Sequence, residues 1–179
     1  IDSGRLRATV DGGAAIAASE ISFVCVGTPS QANGSLDLGH VLRVCEDIGA
    51  ALRGETEFHV VVMRSTMLPG SMLGAVIPAL EQASGKVAGQ DFGVALYPEF
   101  LREGSAIADY YGASTIVFGV SEPRTEAALS AVCNGLHGRV HITSITTAEA
   151  VKYANNAWHA AKIVFANEIG AFTSRQGIG

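Results

Sequence analysis

Two groups of polar side chains in this sequence have the residue types and spacing that acid–base chemistry needs. The first is Glu99 and Glu103, four residues apart in the segment YPEFLREGSAIADYY. If the chain turns helical after Pro98, that spacing places both carboxylates on one face. Like charges held so close would raise one pKa toward the range of a general base. The alternative is that Glu103 pairs with Arg102 or Lys86 and that both acids are solvated.

The second group lies in the last helical pattern, TTAEAVKYANNAWHAAKIVFANEIGAF, where Lys152, Asn156 and His159 recur at i, i+4 and i+7 and share one face. The rest of this helix is apolar on all sides, which is typical of a helix that is buried or packed between units. Because an ammonium group is costly to bury alone, we expect its face to meet a cavity, a carboxylate or an anionic ligand. The alternative is a narrow stripe that faces solvent.

Hydroxyl groups follow two predicted strands. The segment VGTPS ends the first strand with Gly27, Thr28 and Pro29, and RSTMLPG ends the next with Ser65 and Thr66. Glycine lets a ligand approach the backbone, and threonine can bind it through its hydroxyl and amide groups. Side by side, the two strand ends predict a polar cleft. The alternatives are a plain strand-ending turn for the first segment and a helix cap for the second.

The elements that must position these groups alternate between two periods. Five short apolar runs predict strands at 21–27, 58–65, 92–98, 114–120 and 139–144. Helical patterns separate most of them, one of them interrupted at Pro78, and a long helix starts near Thr146. This alternation predicts an α/β fold with a parallel sheet covered on both faces, whose ligands lie beyond the carboxyl ends of the strands.

Composition excludes several classes of protein. Of 179 residues, 48% are hydrophobic and 16% are charged, which is a globular rather than a disordered composition. The net charge of −5 argues against bulk binding to nucleic acid or anionic membrane, and no apolar run is long enough to span a bilayer. Cys25, Cys45 and Cys133 are widely spaced and form no C-x-x-C pair. They predict reduced, mostly buried thiols of a cytoplasmic protein, and no metal site is predicted.

Four segments together resemble the UDP-glucose/GDP-mannose 6-dehydrogenase family. They are FVCVGTPSQANGSLDL, VVMRSTMLPG, YPEFLREGSAIADY and AEAVKYANNAWHAAKIVFANEIG, in the family's order and spacing. The resemblance implies that NAD is the cofactor and that a nucleotide sugar is the substrate, whose C6 alcohol becomes a carboxylate through a cysteine-bound thiohemiacetal and thioester. RSTMLPG and WHAAKIVFANEIG are more similar to the GDP-mannose branch, which forms GDP-mannuronate, than to the UDP-glucose branch.

The resemblance also implies roles for the residues on the loops after the strands. Thr28, Pro29 and Thr66 would contact the cofactor, and Thr66 would also hold the catalytic water. Glu99 would be the base that helps to hydrolyse the thioester. Glu103 would contact both ligands, where the nicotinamide meets the sugar.

The resemblance assigns the remaining roles to residues that contact the sugar and to residues of the long helix. Phe100 and Leu101 would make backbone contacts to the sugar. Lys152 and Asn156 would bind the substrate and stabilise the oxyanions formed at C6, because a cation and an amide donor suit developing negative charge. His159 would contact the substrate.

The sequence departs from the family's pattern at one position, because Tyr97 stands where the family usually has asparagine and brings a larger ring beside Glu99. Neither a G-x-G-x-x-G segment nor a stretch similar to GGSCLPKD is present, and no cysteine matches the family's nucleophile. We therefore expect an internal piece of a longer enzyme. Residues 1–145 would be the back half of a Rossmann-type NAD-binding domain whose first half is missing, and 146–179 the start of a central dimerisation domain.

The piece alone is expected to be inactive and, with apolar faces uncovered, poorly soluble. Its parent is expected to be a homodimer built on the long helix. Three alternatives stay open: an enzyme of the UDP-glucose branch, a non-catalytic binding or oligomerisation module on the same fold, and a dinucleotide-binding dehydrogenase of another substrate class. The polar face of the long helix argues against the last.

Overall fold

The computed structural model describes residues 4–178, and within them strands and helices alternate as the sequence predicts. In chain order the elements are α1 Gly12–Ala17, β1 Ile21–Val24, α2 Gly39–Leu52, β2 Val60–Met63, a π-helix Met72–Val76 that continues into α3 Ile77–Ser84, β3 Gly93–Leu96, α4 Ala106–Tyr111, β4 Thr115–Val120, α5 Pro123–Val132, β5 Arg139–Thr143 and α6 Ile145–Arg175.

The five strands form one sheet in the order β1-β2-β3-β4-β5, which confirms the α/β prediction. The prediction of a wholly parallel sheet is wrong at one pair. Strands β1, β2 and β3 run parallel, as do β4 and β5, but β3 and β4 are antiparallel, with Leu96 opposite Gly119. The physical reason lies in the connection after β3. Its only helix, α4, buries no residue, so the chain returns from the same edge without a crossover over a face of the sheet.

Two hydrophobic clusters cover the two faces of the sheet. The first packs β1, β2 and β3 against α2, α3 and the start of α6, and the second packs β2, β3 and β4 against α5. Residues of β2 alternate between them: Val61 and Met63 enter the first cluster, and Val60 and Val62 enter the second. Burial on both faces explains why this strand is apolar throughout.

Close backbone packing sets the start of α6 directly on β4. A Cβ atom at Gly119 would lie 2.8 Å from the Cα of Ile145 and 2.7 Å from the Cβ of Ala148, distances that side chains do not tolerate. Glycine therefore allows the helix to approach the strand at this point. This contact fixes the start of α6, the helix that carries Lys152, against the sheet.

Only the first two turns of α6 are buried in the described part of the chain. Its buried residues are Ile145, Ala148, Glu149 and Lys152. Beyond them, large apolar side chains such as Trp158, Phe165 and Phe172 are exposed. The expectation that this helix packs between units stays a prediction.

Two further details differ from the sequence predictions. The interruption expected at Pro78 is a π-helix that directly precedes α3: the helix widens before the proline but continues through it without a break. Cys45 and Cys133 are buried as expected, but Cys25, which follows the edge strand β1, is exposed.

Candidate active site

The hydroxyl-bearing ends of β1 and β2 lie side by side, as the sequence predicts. Thr28 Oγ1 donates a hydrogen bond to the carbonyl oxygen of Thr66 at 2.8 Å, and Ser65 Oγ donates to that of Val26 at 2.5 Å. These bonds join the two loops across 38 and 39 residues of sequence. The three side chains differ in burial: Ser65 is buried, whereas Thr28 and Thr66 are only half-buried. The Thr28 hydroxyl keeps its acceptor lone pairs for a ligand.

The helix-cap alternative for Ser65 and Thr66 is wrong. Ser71, which immediately precedes the π-helix, makes no side-chain cap either. The amides at this helix start instead donate to a carboxylate of α6: Gly70 N lies 2.6 Å from Glu149 Oε2, and Met72 N lies 2.8 Å from Glu149 Oε1. Nothing in the sequence pattern singles out this glutamate.

Lys152 is buried and bonded to the segment after β3. The residue is 6% exposed, and its Nζ donates to Glu99 Oε1 at 3.0 Å and to the Glu99 carbonyl oxygen at 2.5 Å. The Phe100 ring centroid lies 5.4 Å from the same nitrogen. The expectation that this ammonium meets a carboxylate is confirmed, and the alternative of a solvent-facing stripe is wrong for Lys152.

The pKa of Glu99 lies below its ordinary value, so the expectation of a raised pKa is wrong for this acid. Burial alone would raise it. The Leu101 N–H, which donates to Glu99 Oε2 at 2.6 Å, together with Lys152 and the more distant Arg64, stabilises the charged form by more. The carboxylate is thus held ionised at neutral pH.

Glu103 does not share a helical face with Glu99, because residues 97–105 are irregular and α4 begins only at Ala106. Glu103 is exposed, and neither predicted cation pairs with it. Arg102 Nη2 lies 2.7 Å from Asp109 Oδ1 instead and holds the pKa of that carboxyl well below its usual range. This pair fastens the irregular segment to α4.

Tyr97, two residues before Glu99, directs its ring into the core. Its ring is buried in the second cluster, edge-on to Phe118 with 5.0 Å between centroids. The Arg64 guanidinium carbon lies 4.3 Å from the Tyr97 centroid, and burial raises the pKa of Tyr97 to about 12. The larger ring therefore fills the core, and Tyr97 N still donates to the Met63 carbonyl oxygen at 2.9 Å.

A cavity of about 440 Å³ opens between the segment after β3, the start of β4 and α6. Its walls include Arg64, Glu99, Phe100, Leu101 and Asn155.

The structure brings some predicted residues together and leaves others apart. Glu99, Phe100 and Lys152 form one contacting group, and Thr28 and Thr66 form another.

Asn156 and His159 lie farther along the exposed part of α6, and Pro29 and Glu103 are exposed on their loops. Among residues 4–178, no group of three or more His, Cys, Asp or Glu side chains could hold a metal ion.

Comparison with known proteins matches both parts of the chain to family models. Residues 1–137 match the NAD binding domain of the UDP-glucose/GDP-mannose dehydrogenase family, and residues 146–179 match its central domain. GDP-mannose 6-dehydrogenase of Pseudomonas aeruginosa is 47% identical over 98% of this chain, which spans 40% of that protein. UDP-glucose 6-dehydrogenase AglM of Haloferax volcanii is 38% identical over 92% of the chain and 39% of that protein.

Solved structures give the same result. A ternary complex of GDP-mannose dehydrogenase from Pseudomonas aeruginosa superposes with a TM-score of 0.97 at 46% identity, over 99% of this chain and 41% of that one. A UDP-glucose dehydrogenase from Pyrobaculum islandicum superposes with a TM-score of 0.93 at 38% identity, over 99% of this chain and 40% of that one. The chain therefore spans about two fifths of the length of these relatives.

Proposed function

This chain belongs to the UDP-glucose/GDP-mannose dehydrogenase family, and from that premise we propose that the whole protein oxidises the C6 alcohol of GDP-mannose to a carboxylate. The observation that carries the proposal is the buried Lys152 ammonium, held against Glu99 where β3 ends. Greater similarity to GDP-mannose dehydrogenases than to UDP-glucose dehydrogenases supports the choice of sugar nucleotide.

The loops after β1 and β2 have the chemistry to hold NAD. A Cβ at Gly27 would meet no atom within 4 Å, so open space borders the end of β1. Thr28 and Thr66 offer hydroxyl groups beside that space, and Pro29 continues the same loop. When bound, the cofactor supplies the hydride acceptor that alcohol oxidation requires.

The residues of this chain divide between charge stabilisation and proton transfer. Lys152 and Asn156 stabilise negative charge on the oxygen at C6. Glu99, ionised at neutral pH, takes a proton from the water that hydrolyses a thioester on a cysteine outside this chain, and Thr66 holds that water.

The remaining predicted residues act on the ligands. Phe100 and Leu101 contact the sugar through their backbone, His159 contacts the substrate, and Glu103 contacts both ligands where they meet. Phe100 and Leu101 line the cavity that holds the Glu99 carboxylate, which supports a sugar site there.

Activity assays with both sugar nucleotides test this function. The whole protein is expected to form two equivalents of NADH per GDP-mannose and to turn over UDP-glucose more slowly. The isolated chain, in which no cysteine matches the nucleophile, is expected to form none. Preference for UDP-glucose would assign the protein to the other branch. Binding of both sugar nucleotides without any NADH would favour a non-catalytic module.

We also propose that the whole protein is a homodimer built on α6. Seven large apolar side chains of this helix after Lys152 are exposed, more than the scattered single residues that are normal on a protein surface. Replacing Phe165, which is 68% exposed, with aspartate is expected to convert the dimer to a monomer, because a buried unpaired carboxylate is costly in an interface. Sedimentation velocity measures the change.

The matched control for the dimer is Glu168→Ala, which alters an exposed polar residue on the same helix and is expected to leave the dimer intact. A wild-type protein that sediments as a monomer would refute the proposal.

A cytoplasmic location, predicted from the cysteines, agrees with the three free thiols of Cys25, Cys45 and Cys133. Within residues 4–178, none of the helices has the length and hydrophobicity that spanning a bilayer requires.

A further inference from the structure

Glu149 is a buried carboxylate to which the predicted chemistry assigns no role. It is 1% exposed, and each of its oxygens accepts one hydrogen bond, from Gly70 N at 2.6 Å and from Met72 N at 2.8 Å. Burial of a carboxylate is costly unless hydrogen bonds satisfy its charge. Two charge-assisted bonds to backbone amides offset that cost here.

A residue close in sequence could have satisfied the same amides. Serine, threonine or aspartate just before a helix commonly accepts these N–H groups, but Ser71 makes no such bond. The carboxylate comes instead from 77 and 79 residues farther along the chain. Unlike a local cap, this distant partner fixes two separate elements, α6 and the start of the π-helix, relative to each other.

Gly70 has a backbone conformation that supports this link. Its φ of +94° lies in the region that side chains rarely adopt, and in that conformation its N–H donates to Glu149. The amide therefore depends on the glycine for its direction. The π-helix that follows begins at Met72, the second donor, so the two donors flank the start of the helix.

Both linked elements carry groups of the proposed site. Glu149 lies three residues before Lys152 on α6, close to one helical turn, and Gly70 lies four residues after Thr66. At the same time Gly119 sets the start of α6 against β4. Contacts with β4 and with the π-helix together fix the position and rotation of the helix that presents Lys152.

We propose that Glu149 is a positioning residue: it holds Lys152 and the loop of Thr66 in the relative geometry that oxidation at C6 requires. This inference rests on the proposed function. A displacement of about 1 Å at a reacting centre can lower a rate about a hundredfold, so a link that fixes two such elements has a large effect without contacting the substrate.

The test replaces Glu149 with glutamine in the whole protein. The side chain keeps its shape, but its NH2 group faces one of the two backbone donors, so one bond is lost. We expect kcat with GDP-mannose to fall about tenfold to a hundredfold while KM for the sugar changes less than about threefold. Amide hydrogen exchange at Gly70 and Met72 is expected to accelerate, and NAD+ affinity, measured by titration, is expected to fall several-fold.

Ile48→Val is the matched control. It removes one methyl group from a buried residue of α2 rather than of α6 and leaves the carboxylate in place. We expect this control to lower Tm to a degree similar to E149Q, while its kcat stays within about twofold of the wild type. If E149Q does not fold, Glu149→Asp keeps the charge on a shorter side chain and is expected to show the same changes to a smaller extent.

Three outcomes separate the possibilities. If the E149Q variant keeps wild-type kcat, or if Ile48→Val lowers kcat equally, the positioning role is overturned and Glu149 only stabilises the fold. If the wild-type protein oxidises no nucleotide sugar, the proposed function fails. The exchange and NAD+ measurements then decide the inference alone, and unchanged values for E149Q would overturn it.

Discussion

Replacing Lys152 with methionine is expected to lower kcat of the whole enzyme by at least about a hundredfold, the effect typical of losing one oxyanion-stabilising group. Methionine keeps much of the apolar length of the lysine side chain, so the change removes mainly the charge that lies over the Phe100 ring. Steady-state formation of NADH with GDP-mannose measures it. The loss should appear in kcat more than in KM, because the charge is needed most when the C6 oxygen becomes negative.

Lys162→Met is the matched control for this variant, because Lys162 is an exposed lysine on the same helix. Its kcat is expected to stay within about twofold of the wild type. A Lys152→Met enzyme with kcat within about threefold of the wild type would exclude Lys152 from oxyanion stabilisation. Loss of activity in both variants would instead indicate a general dependence on the charge of α6.

The Lys152→Met variant is also expected to change how the stability of the fold depends on pH. Because the pKa of Glu99 is lower in the folded protein than its ordinary value of 4.5, the ionised carboxylate stabilises the fold above that pH. This contribution is lost as pH falls from about 4.5 through the folded pKa. Without Lys152, fewer contacts favour the charged carboxylate, and the effect of burial raises the pKa of Glu99. Urea unfolding is therefore expected to show a smaller acid loss of stability in Lys152→Met than in the wild type.

The sequence predicts well those features that depend on local pattern. The alternation of β-branched runs and helical patterns identifies all five strands, and the rule for strand ends brings Thr28 beside Thr66. The partner of Lys152 is also predictable as a class, because a buried ammonium requires an acceptor. In each case a short stretch of residues contains the physical cause.

Features that depend on distant contacts are not predictable in the same way. The irregular backbone after Pro98 separates Glu103 from Glu99, and the charged state of Glu99 is stabilised partly by a lysine 53 residues away. Glu149 resembles any solvent-exposed glutamate of a helix until its two amide donors, 77 and 79 residues away, are known. The antiparallel pairing of β3 and β4 likewise depends on how a connection packs.

Replacing Glu99 with glutamine is expected to separate the two oxidation steps from the hydrolysis that follows them. If Glu99 is the base for hydrolysis, the variant still oxidises the alcohol but releases product about 10² to 10⁴ times more slowly. The thioester then accumulates on the enzyme, where mass spectrometry of the denatured protein detects it. A rapid burst of NADH followed by slow turnover is the matching kinetic result.

Glu103→Gln is the contrasting variant, because it alters the other acid of the same segment. Glu103 is exposed and is proposed to contact ligands, so its loss should raise KM without causing a covalent intermediate to accumulate. The ionised state of Glu99 adds a second criterion: in the wild type, the acid limb of the hydrolysis step should lie below about pH 4.5. If Glu99→Gln shows no burst and no covalent intermediate, hydrolysis uses another base, and the carboxylate serves only to hold Lys152 in place.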